Sequence, residues 1–583
     1  MQPCAYRLPT SSSNPSTSVP NSYNLNTSVH RCTVVTCKIV VNPAKWIHNL
    51  NSKALSLRPP LSPSDKTQPS SLASNSLPDY ERPKAHLNPL QKVVAGALDM
   101  IEEFVIAPLE RQQELPVRQD LEIAGEIPNC LHGIYLRNGP NPLHLPKGGH
   151  HFFDSDGMIH AVSLGLENRA SYTCKYTRTS RLEQESSLSR PIFPKPIGEL
   201  HGHLGVARLA LFVARTCVGV VDGSQGVGVA NAGLAFFNGR LLAMSEDELP
   251  YHVKIKPDGN LETVGRFTFN GQLDYQMIAH PKMDPITGEL HALSYNVVTK
   301  PYLKYFRIDK RGIKSHEMDI TLSHPTMIHD FAVTKNFVII PDHQVMFKLT
   351  EMIRGGSPVI FDPNKPSRVG ILSKKDVDES NMQWINVPNS FCFHFYNAWE
   401  EITKCGQTVI RLIGSCMSPP DSVFNGSGTV ESIRTELSEI QLNLNTGESS
   451  RRVIVSGINL EAGQVNPKLL GQKARFVYLA ISELWPKCCG IAKVDLEANE
   501  VFEFRFGGGR FGGEPCYVGA DCKESEGYLM SLVRDEIEET SELVIVNASN
   551  MKQVCSIRLP TRVPYGFHGT FVSKAGLERQ IMH

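Results

Sequence analysis

The 583-residue chain carries 59 Lys and Arg against 59 Asp and Glu, so its formal net charge is zero and it has no electrostatic footprint for nucleic acid. Hydrophobic residues make up 41% of it, with 44 Gly and 39 Pro, as in a large, turn-rich globular protein with ample chain for a core. No run of about 18 uninterrupted apolar residues occurs, which excludes an ordinary transmembrane helix.

Residues 1–80 are rich in Ser, Thr, Asn and Pro, as in "PTSSSNPSTSVPNS". No acidic residue precedes Asp65, while Arg7, Arg31, Lys38, Lys45, Lys53 and Arg58 give a thin basic spread. A Ser-rich, acid-poor leader has transit-peptide composition, and its sparse arginine suits a plastid better than a mitochondrion. The competing reading is a disordered tail with no address. Residues 87–112 follow with Leu90, Val93, Val94, Ala97, Leu98, Ile101, Phe104 and Val105 at helical spacing. This helix either docks on a core or lies on a membrane; its polar face, with Lys92, Asp99, Glu102 and Glu103, is net acidic and favours docking.

From about Gly133 the helical period mostly gives way to short alternating runs. "PDGN" at Pro257 separates two of them, and "DPITG" at Asp284 and "DKRG" at Asp309 repeat the arrangement. One exception is "VARLALFVARTCVGVV" from Val206, broken by Arg208 and Arg215, which reads as a core helix running into a strand. About 450 residues of antiparallel β are economically built as a propeller, and at roughly 40–50 residues per blade six to eight blades fit. A pair of ordinary β domains fits the same pattern. Of the fourteen cysteines, Cys4, Cys32 and Cys37 lie in the leader, and the others show no C-x-x-C spacing. Most read as reduced, buried small hydrophobes of an intracellular compartment.

Four histidines share a context, each at or near the start of a short apolar strand. They are His280 in "MIAHPKMDPITGEL", His329 in "TMIHDFAV", His394 in "FCFHFYNAWEEI" and His568 in "RVPYGFHGTFV". Their separations are 49, 65 and 174 residues, close to one, one and three blade lengths, as innermost strands around a common axis would give. Any one of them alone reads better as a core histidine satisfied by a carbonyl. Together, four neutral imidazoles suit Zn, Cu, Fe or Ni and leave two positions of an octahedral ion open. Glu246, Glu461 and Glu514 stand in apolar settings and could accept the ring N–H of such histidines, although turn or salt-bridge roles are the ordinary alternative. "GVGVAN", "DGSQG" and "GGGRFGG" each lack a residue that a nucleotide or nucleophile motif requires, and read as turns.

These motifs resemble the carotenoid cleavage dioxygenases over nearly everything after residue 86. The resemblance rests on "NGPNPLHLPKGGHHFFDSDGMIHAV", "AHPKMDPITGELHALSYN", "MIHDFAV", "FHFYNAWEE", "GGEPCYV" and "RVPYGFHGTF". Within the family, "LLAMSEDELPYHVKI", "EMIRGGSPVI", "GSCMSPPDSVF" and "NLEAGQVN" look like the plant 9-cis-epoxycarotenoid dioxygenase branch. The resemblance implies an all-β, seven-bladed propeller over residues 113–583, with helices capping the metal face. It implies that His280, His329, His394 and His568 bind Fe(II), and that Glu246, Glu461 and Glu514 accept from ligand histidines. The implied reaction uses O₂ to cleave the 11,12 double bond of a 9-cis-epoxycarotenoid held in an apolar tunnel. Its products are xanthoxin, the precursor of abscisic acid, and a twenty-five-carbon aldehyde. The implied location is the plastid stroma, with the leading helix touching the thylakoid surface. Cleavage at 9,10, a non-catalytic carotenoid-binding relative and a plain propeller scaffold are the alternatives. The chain departs from the family at Pro140, at Ser155, and in a connection before "GEIP" that lacks about twenty residues, a change that could destabilise the first blade.

Overall fold

The alternating runs pair almost wholly with their sequence neighbours, giving seven antiparallel sheets and one inserted hairpin. The structure is a computed structural model that describes residues 112–145, 151–388, 390–425, 433–483, 487–520, 524–566 and 568–581. The expected leader over 1–80, and all but the last residue of the helix expected over 87–112, lie outside the described residues.

The sheets are the blades of a seven-bladed β-propeller. Blade 2 runs from Leu234–Phe237 at its inner edge through Arg240–Ala243 and Tyr251–Ile255 to Leu261–Arg266. Blades 3 to 6 repeat this order from inner strands Lys282–Met283, Ala332–Val333, Cys392–Ile402 and Leu460–Gln464. The turns at "PDGN", "DPITG" and "DKRG" fall between consecutive strands, as their Gly and Asp content requires.

The two ends of the described chain close the ring. Gly569–Ser573 forms the inner strand of blade 1 by pairing with Gly133–Pro140, setting Val572 opposite Ile134. Ile123–Gly125 adds an outer strand to blade 7 by pairing with Cys555–Ile557. The shortened connection therefore still delivers Leu115–Arg118 to the edge of blade 1 and Ile123–Gly125 to the edge of blade 7, turning between them at Asp120 (φ 56°).

The core is a set of apolar layers between neighbouring blades. Ile134, Ile159, Leu241 and Val253 join blades 1 and 2, and Ile339, Ile371, Leu412 and Ile440 join blades 4 and 5. Each is 3% exposed or less, and burying such a side chain stabilises by about 1.5–3 kcal/mol. Because every layer is shared, displacing one strand disturbs two blades.

Among the described residues two helices of more than two turns interrupt the strands, besides short ones at Thr350–Ile353 and Ser422–Asn425. Helix α1, Ser180–Leu188, is capped by the Thr179 hydroxyl, which accepts from the Leu182 amide. Helix α2, Gly202–Cys217, is the helix expected from Val206, but it is not a core helix. Only Gly205, Phe212 and Arg215 are buried, while Leu204 is 72% exposed. Its apolar residues run almost continuously, so they encircle the helix and only one narrow stripe finds a neighbour. No strand follows it: Gly219 takes a positive φ, a short 3-10 turn spans Gly223–Gln225, and the next strand begins at Leu234. None of the ten described cysteines is in a disulfide, and five of them rather than most are buried.

Candidate metal site

The structure brings the four predicted histidines together. His280 lies just ahead of the inner strand of blade 3, His329 just ahead of that of blade 4, His394 within that of blade 5, and His568 immediately before that of blade 1. One ring nitrogen from each lies within 4.8 Å of the others. The His280 and His568 rings are 4.2 Å apart between centroids and nearly perpendicular. The 49-, 65- and 174-residue separations thus correspond to blade steps of one, one and three around the axis.

The three predicted glutamates arrive from the remaining blades, 2, 6 and 7. Glu461 Oε2 takes the Nδ1 of His394 at 2.9 Å, and Glu514 Oε2 takes that of His568 at 3.0 Å. Glu246 Oε1 abuts His329 Nδ1. Each carboxylate fixes the orientation and tautomer of its ring, so that Nε2 carries the free lone pair. Two tyrosines that the motifs did not bring out brace this arrangement. Tyr295 donates to Glu246 Oε2 at 2.7 Å, and Tyr396 donates to Glu461 Oε2 at 2.9 Å. Both lie on or beside strands already expected, but a tyrosine in a strand has too many ordinary uses to stand out.

Burial dominates the electrostatics. It drives the pKa of His280 well below the usual imidazole value, helped by the three neighbouring rings. His329 is depressed by burial and by His394 and His568. Burial also opposes charge on His394, but the surrounding carboxylates, Glu461 foremost with Asp330 and Glu514, together hold this imidazole above its ordinary value. Burial pushes Glu246 up to about 8, against the pull of the Tyr295 hydroxyl. Two of the imidazoles are therefore held neutral, the form in which they can donate to a cation.

The residues fit a metal ion. His329 Nε2 and His394 Nε2 face each other at 3.2 Å while their Nδ1 atoms are taken by carboxylates, and His280 Nε2 is buried with no hydrogen-bond partner. Metal–imidazole bonds of about 2.0–2.1 Å place adjacent donors roughly 3 Å apart, so a cation between these lone pairs turns repulsion into attraction. Above the histidines lies an apolar cluster that includes Met327, Phe391, Phe393, Met417 and Phe424. Phe393 stacks on His329 at 3.8 Å and on Phe153 at 5.8 Å. The next residue, Asp154, takes the backbone amides of Ile197 and Gly198, so the segment leading into α2 is anchored over this face.

Comparison with known proteins accords with this architecture. The family model described as retinal pigment epithelial membrane protein (RPE65) matches residues 106–573. The Arabidopsis thaliana protein 9-cis-epoxycarotenoid dioxygenase NCED6, chloroplastic, is 56% identical over 517 residues, covering 85% of this chain and 89% of that protein. A carotenoid 9,10(9′,10′)-cleavage dioxygenase of Crocus sativus is 35% identical and covers 84% of this chain and 95% of that one. Among solved structures, the lignostilbene dioxygenase of Pseudomonas brassicacearum superposes with a TM-score of 0.69 at 24% identity, covering 81% of this chain and 98% of that one. Synechocystis apocarotenoid oxygenase gives 0.67 at 23%, covering 82% and 98%. With a family model spanning the propeller from before its first strand to the end of its last, and a histidine cluster on its axis, the chain belongs to the RPE65/carotenoid oxygenase family.

Proposed function

We propose that this protein is a non-haem Fe(II) dioxygenase that cleaves the 11,12 double bond of 9-cis-epoxycarotenoids such as 9-cis-violaxanthin and 9′-cis-neoxanthin. Xanthoxin and a twenty-five-carbon apo-aldehyde are the products, and abscisic acid formation is the context. The observation that carries the reading is the 56% identity, over 85% of the chain, to a 9-cis-epoxycarotenoid dioxygenase. The convergent four-histidine set supports it. His280, His329, His394 and His568 hold the iron, and Glu246, Glu461 and Glu514 hold three of those rings by Nδ1. Iron(II) bound there supplies the activation of dioxygen. One polyene double bond and one O₂ give two aldehydes, so no further reductant is needed.

The remaining work falls to the protein. The aromatic and methionine side chains around Phe393 flank the polyene and keep water away, and an all-imidazole donor set avoids placing a carboxylate beside the reacting bond. The chloroplastic relatives and the acid-poor composition of residues 1–80 support a plastid location, with those residues as transit peptide. The helix over 87–112 is proposed to contact the thylakoid surface and residues 113–583 to form the dioxygenase domain.

The test is anaerobic purification with Fe(II), then 9′-cis-neoxanthin and air, with products read by mass. A fifteen-carbon and a twenty-five-carbon aldehyde are expected. Fragments from 9,10 cleavage would overturn the bond assignment, and bound iron with no oxygen uptake would favour a carotenoid-binding protein. His394→Ala is expected to lose both iron and activity.

A further inference from the structure

Three glutamates hold three imidazole rings, but they do not account for the placement of the backbone segments that carry them. His280 has no carboxylate partner on its ring among the described residues. The residue after His329 addresses this. Asp330 is 3% exposed and turns its carboxylate between three of the four histidine segments. Its Oδ2 accepts from the backbone amide of Phe395, the residue after His394, at 2.8 Å. Its Oδ1 accepts from the Phe331 amide at 2.8 Å and pairs with Lys282 Nζ at 2.7 Å. Lys282 stands two residues after His280, its side chain is 13% exposed, and its Nζ also donates to the Phe395 carbonyl at 3.3 Å.

The Phe395 peptide needs such support. The register between Cys392–Ile402 and Thr408–Ser418 shifts on both sides of Phe395, so the regular ladder is interrupted where His394 must turn to the axis. Gly414, opposite the bulge, allows the close approach: a Cβ there would lie 2.9 Å from the His394 carbonyl. Asp330, leading into blade 4, and Lys282, in blade 3, then hold the Phe395 N–H and C=O across the axis end of the ring.

We propose that the buried Asp330–Lys282 pair is a positioning device that sets the spacing of the His280, His329 and His394 segments and so preorganises the donor set. The pair touches neither substrate nor metal and acts through the backbone. This rests on the reading of the four histidines as a metal site.

The test uses full-length protein stripped of metal and titrated anaerobically with Co(II) against a chromophoric chelator, with the cobalt ligand-field spectrum recorded. Lys282→Met is expected to weaken Co(II) binding by about 10–100-fold and to shift the spectrum, and Lys282→Arg to restore most of the affinity. Asp330→Asn, whose NH₂ must face either the Phe395 amide or the Phe331 amide and Lys282 ammonium, donor against donor, should weaken it at least as much; if that variant does not fold, the Lys282 pair of variants decides. The control is Lys365→Met, which breaks the still more buried Lys365–Asp342 pair of blade 4 and should lower the melting temperature without changing affinity or spectrum. Wild-type affinity and spectrum in Lys282→Met, or an equal loss of affinity in Lys365→Met, would overturn the proposal. If the wild type binds no more Co(II) than His394→Ala does, it is the metal-site reading itself that fails.

Discussion

Glu461 offers a direct test of how the carboxylates serve the histidines. Its side chain is 8% exposed, and Oε2 accepts from His394 Nδ1 and the Tyr396 hydroxyl, each at 2.9 Å, and from the Ala462 amide. Glu461→Gln keeps the shape and removes the charge. A hydrogen bond to a charged acceptor contributes about 1.5–3 kcal/mol against about 0.5–1.5 for a neutral one, so roughly 1 kcal/mol of support for His394 is lost. The new amide NH₂ also has to sit where Oε1 is buried without a partner, which adds about 1–3 kcal/mol if it stays unsatisfied. The unsatisfied NH₂ weighs on the stability of the fold with or without metal, whereas the weakened hold on His394 bears on the metal, so metal affinity should fall by about 10–100-fold, the usual effect of losing such a partner and equivalent to about 1.4–2.7 kcal/mol. Chelator competition with Fe(II) under anaerobic conditions reads it. Tyr396→Phe leaves the carboxylate charged with one donor fewer, so its loss should be under about fivefold. A Gln variant that binds iron within twofold of wild type, or a Phe variant that loses as much as Gln, would refute the reasoning.

Two other consequences concern stability. His291 is fully buried against the Tyr305 hydroxyl, and burial lowers its pKa to about 3. An unfolded imidazole titrates near 6.5, so between these values the unfolded chain binds the extra proton and stability drops as the pH falls, by about 1.4 kcal/mol per unit for this one group. His291→Gln should flatten the dependence of unfolding free energy on pH from 6 to 4 by about one proton; an unchanged slope would count against it. Val572, 2% exposed in the closing strand, packs with Ile134 and Leu241. Val572→Ala should cost about 1–3 kcal/mol by denaturant unfolding, and no measurable loss would mean that the closing strand adds little.

The repeat was legible because propeller blades print their period twice, in the hairpin turns and in the histidine spacing. Asp284 and Asp309 begin turns whose flanking strands pair as expected, and His280, His329, His394 and His568 sit where an inner strand must start. Helix α2 was misread because a continuous apolar run is consistent with either a core or a surface helix. Only the tertiary neighbours of Phe212 and Arg215 decide between the two. Asp330 and Lys282 were in plain view in "HDF" and "HPK", but an acid and a base 48 residues apart show no relation until adjacent blades bring them within 2.7 Å. Tyr295 and Tyr396 were hidden for the same reason: their hydroxyls acquire meaning only from the glutamates they reach.

The position of His280 depends on packing as well as on charge, and Gly233 exposes that dependence. Gly233 immediately precedes the inner strand of blade 2, and a Cβ added there would lie 1.9 Å from the carbonyl oxygen of Ala279, which is peptide-bonded to His280. Contacts that short do not exist, so Gly233→Ala must move either the blade 2 strand or the Ala279 peptide by about 1 Å or more. Such overpacking typically costs about 1–3 kcal/mol of stability. Moving the blade 2 strand would disrupt its exchange of hydrogen bonds with Met244, whereas moving the Ala279 peptide needs only a shift in a short connecting segment. Much of the displacement should therefore reach His280, and metal affinity should fall by roughly tenfold in addition to the loss of stability. Gly265→Ala, in the outer strand of the same blade at φ 141° with nothing within 4 Å of its Cβ, strains the backbone without pressing on a histidine. It should lower the melting temperature and leave metal affinity unchanged. If both variants bind Co(II) as the wild type does, the position of His280 does not depend on the packing beneath it; if both lose affinity alike, the site is sensitive to any loss of stability in blade 2, and neither result fits a carbonyl wedge acting on one ligand.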